Sequence, residues 1–171
     1  AGTDLDIDID GITAISNDGI YNMPSSGGNI PAGEVYLAPA NCNGKLVIDV
    51  SSRNSQSTAL IQRPVEIIIK DNIVISIDGG DEAELLNKSL LGAEARAKYP
   101  ERVRTVAEIG IGTNTKAKIL GSTIVDEKAY GTAHLAIGSN YWFGGNNRTI
   151  IHLDQVFAKP NIWIDGEKIR I

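Results

Sequence analysis

Cysteine is almost missing from this sequence, and so are histidine, methionine and phenylalanine. The single cysteine, Cys42, excludes an internal disulfide framework and fits a reducing compartment. No apolar run approaches the length of a membrane span, and the first residues do not form a signal peptide, so the expected location is cytoplasmic with no membrane partner. Basic residues do not dominate. Sixteen Lys and Arg stand against 21 Asp and Glu, a net charge of −5, which gives no footprint for nucleic acid. Two Phe in 171 residues mean that the core must be aliphatic. Glycine is plentiful, with 18 residues, and marks tight turns and close backbone approaches. Length and composition suit one domain, residues 1–171, with a real core.

The chain reads as α+β and strand-rich, a mixed sheet with one main helix packed on it. Residues 4–10 alternate acids with Leu5, Ile7 and Ile9, a half-buried strand pattern. Further strands are expected at residues 12–15, 34–38, 45–50, 65–70, 73–77 and 105–111. Toward the end they are expected at 132–137, 149–153, 161–164 and 168–171. Asp71-Asn72 is a hairpin signal, and residues 22–33 and 53–58 read as loops. Residues 81–98 form the convincing helix, with Asp81 as cap, Glu84 three residues on, and Leu85, Leu86, Leu90, Ala93 and Ala97 as its apolar stripe. Residues 114–120 and 124–130 are expected as short helices or turns.

Both histidines of the chain lie in its last third. His152 and Asp154 are two apart on a strand and point to one face, with Ile151 and Leu153 on the other. His134 sits in a second apolar strand, with Ala133, Leu135 and Ile137 on the opposite face. Two glutamates share this setting. Glu34 follows Pro31-Ala-Gly33, and Glu108 lies in a strand otherwise made of Val106, Ala107, Ile109 and Ile111. A carboxylate in such a strand needs a cation, a hydrogen-bond network or a metal. Five donors of nitrogen and oxygen type are enough for one or two divalent ions.

Four blocks, residues 29–39, 107–114, 126–138 and 151–154, come in the order found in the aminopeptidase T family, and the chain resembles the C-terminal part of these thermophilic metallo-aminopeptidases. The resemblance implies the metal-binding domain of the thermophilic metalloprotease-like fold, as the C-terminal part of a longer chain whose N-terminal domain is missing here. It puts Glu34, Glu108, His134, His152 and Asp154 on the family's metal ligands, holding two divalent ions (Zn, Co or Mn). It implies a peptide substrate, a homodimer, and a hydrolase that removes N-terminal residues with a metal-activated water. Tyr141, seven residues after His134, falls on a tyrosine implicated in catalysis. Five ligands leave no spare base, so Glu127 is the candidate to shuttle the proton. The chain departs from the peptidases in a longer loop at residues 22–28 and a shorter interval between His134 and His152. The same superfamily includes ring-cleaving dioxygenases of the 2,5-dihydroxypyridine type, which use one Fe(II). His134, His152 and Asp154 would suffice for that chemistry. The non-enzyme alternative is a metal-binding module that is inactive without its N-terminal domain. Because all five ligand types are present, the aminopeptidase is the leading expectation.

Overall fold

The computed structural model describes residues 2–22 and 27–169. In chain order the strands are β1 (Asp4–Asp8), β2 (Ile15–Asn17), β3 (Glu34–Leu37), β4 (Asn41–Ile48), β5 (Ser51–Arg53) and β6 (Thr58–Leu60). They continue as β7 (Val65–Lys70), β8 (Ile73–Asp78), β9 (Val106–Gly112), β10 (Thr132–Gly138), β11 (His152–Ala158), β12 (Ile162–Ile164) and β13 (Glu167–Ile169). Helix α1 is Asp81–Glu94 and helix α2 is Thr123–Asp126. The α+β, strand-rich expectation with one main helix holds. No helix among the described residues is long and apolar enough to cross a membrane.

Two sheets carry the architecture. One has the order β1-β4-β7-β8 and the other β2-β3-β9-β10-β11-β5-β6, and every pairing between strands within them is antiparallel. The hairpin between β7 and β8 turns on Asp71 and Asn72, both at positive φ (50° and 65°), as a two-residue turn matched to strand twist requires. Leu46, Ile48, Val65, Ile67 and Val74 from the smaller sheet meet Leu86 and Leu90 of α1 in the core. Leu135, Ile137, Leu153 and Phe157 of the larger sheet belong to the same cluster. Residues alternate along a strand, so the core claims odd positions of β10 and β11 and leaves His134, His152 and Asp154 on the reverse face.

A bulge completes that face. Ile137 pairs with Val106, while the next residue back, Ala136, pairs with Glu108. Ala107 is therefore the extra residue of β9, and it switches the strand's facing: Val106 stays in the core and Glu108 joins the histidines.

Several local expectations are corrected. Helix α1 ends at Glu94 rather than residue 98, and its N-cap is Gly80, not Asp81, with no side-chain cap hydrogen bond. Residues 114–120 form no helix. The Asn114 side chain there accepts from the Lys116 and Ala117 amides in a turn. The expected loop at 53–58 is flanked by paired strands, β5 and β6. The strand expected at 149–153 begins at His152 and runs on to Ala158. Residues 170–171 of the last expected strand, and 23–26 of the long loop, lie outside the described residues.

Leu86 is fully buried at the centre of the core. Leu86→Ala should cost about 3 kcal/mol and lower the thermal midpoint by roughly 6–12 °C in a chain of this size, measured by denaturant and thermal unfolding. A loss under about 1 kcal/mol would mean that α1 does not anchor this core.

Candidate metal centre

The register of the larger sheet assembles the site in rows. His134 lies opposite Gly110, and Glu34 lies opposite Gly112. Glu108 and Asp154 flank the same Ala136, one on each side, and His152 lies opposite Gly138. Every candidate ligand thus has a glycine or alanine as a cross-strand neighbour. The need for that space is plain at Gly110, where an added Cβ would lie 2.2 Å from His134 Cε1. The room beside Gly110 belongs to the imidazole of His134.

The five residues form one continuous chain of contacts. His134 Nε2 lies 2.9 Å from Glu108 and 3.7 Å from Glu34 Oε2. His152 Nε2 lies 3.5 Å from Glu108 and 3.1 Å from Asp154. Glu34, Glu108 and His134 each offer a ligand atom, all within 4.8 Å of one another. His152 Nδ1 donates to the Ser139 carbonyl at 2.7 Å, which fixes the tautomer and leaves the Nε2 lone pair facing the carboxylates. Glu34 Oε2 and His134 Nδ1 are buried with no hydrogen-bond partner. Orphaned donors and acceptors of this kind, in an all-nitrogen-and-oxygen set, fit a divalent ion.

The electrostatics ask for positive charge. Burial opposes protonation of His134, but its hydrogen bond to Glu108 and the charges of Glu127, Glu108 and Asp154 outweigh it and push the imidazole up to about 9. Burial likewise opposes charge on His152, and Asp154 and Glu108 carry it to about 9. Asp154 is held below its ordinary value by the two histidines against the opposing effect of burial. Lys128, fully buried, is the one permanent cation inside the cluster. It contacts Glu34 at 2.8 Å and also Glu127, and both raise its affinity for its proton. Burial and the charge of Asp154 push the Glu127 carboxyl up to about 7, and its Oε2 has no hydrogen-bond partner.

These groups open into a cavity of about 340 Å³ lined by Glu34, Tyr36, Arg53, Glu108, Glu127, Trp142, His152 and Asp154, among others. Glu127, expected as a proton shuttle, is one of the residues lining this cavity. Tyr141 does not line the cavity. It is 60% exposed with the Arg148 guanidinium over its ring, and its neighbour Trp142 forms the wall instead, 5.0 Å from the His152 ring. Lys128, Arg53, Trp142 and Tyr36 escaped sequence reading. A lysine in Asp-Glu-Lys reads as solvated, and nothing local marks the others.

A family model described as 2,5-dihydroxypyridine 5,6-dioxygenase matches residues 1–170. The solved 2,5-dihydroxypyridine dioxygenase from Pseudomonas putida superposes with a TM-score of 0.80 at 22% identity, covering 98% of this chain and 50% of that one. AmpT from Thermus thermophilus superposes with a TM-score of 0.67 at 19% identity, covering 91% of this chain and 41% of that one. At these identities both likenesses are of fold, and the chain spans about half the length of either relative or less. A comparison with curated proteins gives no match. The family match overturns the metallo-aminopeptidase expectation, and with it the hydrolase and protease assignment. The physical reason is that the two chemistries draw on the same donor types, so the five ligand positions alone could not separate them.

The site generates two predictions. Gly110→Ala should displace His134 and reduce metal retention at least tenfold while the chain stays folded; unchanged metal content by elemental analysis would refute the packing argument. The second concerns pH. In the metal-free chain both histidines hold protons up to about 9, against an ordinary 6.5. The native state binds more protons across that interval, so the stability these groups contribute is full below about pH 6.5 and is lost as pH rises toward 9. A metal ion must expel the same protons, so its affinity should rise over the interval in which apo stability falls. Calorimetric titration across that range checks both signs, and a pH-independent affinity would exclude the histidines as ligands.

Proposed function

The chain belongs to the 2,5-dihydroxypyridine 5,6-dioxygenase family, and from that premise we propose that it cleaves a hydroxylated aromatic ring of the 2,5-dihydroxypyridine type with one Fe(II). Two histidines and one carboxylate, His134, His152 and Asp154, are the set that non-haem iron oxygenases use, with positions left open for substrate and oxygen. The observation that carries the reading to one metal rather than two is Lys128. Its buried ammonium already holds one oxygen of Glu34 and one of Glu127, so these two carboxylates are paired without a second ion. With Lys128 in place, a single divalent ion balances the charges of Glu34, Glu108 and Asp154 when Glu127, pushed up to about 7, carries its proton. Glu34 and Glu108 then lie beside that ion rather than claim one of their own.

A bound ferrous ion supplies the one-electron chemistry by which oxygen can react with a closed-shell ring. The chain's own residues do the rest. Ser139 holds the His152 imidazole in orientation through its Nδ1. Trp142 and Tyr36 give the cavity flat apolar walls against which a ring can lie. Glu127, poised near 7 with a free oxygen, can take the proton from a ring hydroxyl and return it to the opened product.

Loaded anaerobically with ferrous ion, the chain should hold one iron and consume oxygen when given 2,5-dihydroxypyridine. His134→Ala, His152→Ala and Asp154→Asn should lose the iron, and Glu34→Gln should retain it. Two tightly held ions per chain, or iron loss in Glu34→Gln equal to that in the histidine variants, would sink the single-iron reading.

A further inference from the structure

We infer that Arg53 is the anchor for an oxyanion on the substrate's aromatic ring, a phenolate or carboxylate oxygen lying away from the metal. The inference rests on the ring-cleaving reading above and adds the substrate feature that the site selects.

The register places Arg53. Gln155 pairs with Ser52 and Val156 with Ser51, so one step further along the antiparallel pair sets Arg53 beside Asp154. The Gln155 side chain donates from Nε2 to the Arg53 carbonyl at 2.9 Å, and Arg53 lies near enough to Asp154 to favour its charge. Arg53 thus ends a row that runs Glu108, Ala136, Asp154, Arg53 across the site face. Its side chain is exposed and lines the cavity.

The state of the other charges gives Arg53 its meaning. Glu34 and Glu127 are held by Lys128. Glu108 and Asp154 are held by the histidines, the groups a metal would take over. Arg53 makes no ion pair among the described residues, although it shares a cavity with four carboxylates. A guanidinium that fronts open space in an acidic cavity keeps its fork for a ligand. It is also the cavity-lining residue that offers an incoming anion positive charge, since Lys128 is sealed from the cavity. With Trp142 and Tyr36 on the walls, the bound species is a flat ring, and the oxygen it presents to Arg53 is negatively charged. The competing account is that Arg53 only tunes Asp154, whose charge it also favours.

Calorimetry on the anaerobic, ferrous-loaded chain separates these with two matched pairs of probes at mildly alkaline pH. One pair is 3-hydroxybenzoate and 3-hydroxybenzamide, the other 4-nitrophenolate and 4-nitroanisole. The first pair tests a carboxylate and the second a phenolate. The charged member of at least one pair should bind roughly 10- to 100-fold more tightly than its neutral partner. Arg53→Gln should abolish that preference, Arg53→Lys should keep part of it, and iron affinity should be unchanged in both. A preference that survives Arg53→Gln overturns the inference, as does a loss of iron affinity with ring binding intact. The two readings can fail separately. Oxygen uptake with 2,5-dihydroxypyridine together with charge-blind ring binding rejects the anchor and keeps the dioxygenase. Arg53-dependent selectivity without oxygen uptake does the reverse.

Discussion

Three carboxylates, Glu34, Glu108 and Asp154, share one face of a sheet, a fourth, Glu127, joins them from the end of α2, and the rest of the site answers the cost of putting them there. Ionised carboxylates out of water are destabilising by several kcal/mol each unless paired. The chain pairs two of them permanently, with Lys128 between Glu34 and Glu127. It pairs the other two conditionally, with histidines whose proton affinity the carboxylates themselves raise. A proton on an imidazole and a divalent ion between imidazole and carboxylate meet the same electrostatic demand. The metal-free chain thus holds its protons tightly for the reason that the loaded chain would hold its ion tightly.

Charge alone would not build the site, because five side chains must also converge on a small volume. The sheet solves this with its pairings. Gly110, Gly112, Ala136 and Gly138 stand across from the donors, and the bulge at Ala107 turns Glu108 away from the core to join them. The core and the site are opposite faces of the same strands. Leu135 and Ile137 fix β10 against the smaller sheet, and that fixes His134 and Ala136 on the reverse. Stability and function are therefore coupled at single-residue spacing, and a one-residue slip of β10 would exchange ligands for aliphatics.

The donors were legible in the sequence because each is a polar residue set in an aliphatic strand, and the helix was legible from its apolar stripe. What is carried by pairing was not. No local pattern says that Gly110 faces His134, that Ala107 is an extra residue, or that Arg53, read as the start of a loop, sits beside Asp154. Lys128 was hidden for a related reason. It follows two acids and resembles a solvated residue, yet the turn after α2 folds it into the interior between Glu34 and Glu127. The reaction class was misread because it was inferred from the donors, which both families share.

That error shows where reaction specificity resides. Histidines and carboxylates on stiff strands fix a cation; they do not fix what the cation does. Other features stand one step further out. A buried ammonium holds Glu34 and Glu127 together. Trp142 and Tyr36 line the cavity beside the donors. The Arg53 guanidinium, without an ion pair among the described residues, lines the cavity as well. Lys128 contacts Glu34, Trp142 lies 5.0 Å from the His152 ring, and Arg53 favours the charge of Asp154, so these residues set the surroundings of the donor set.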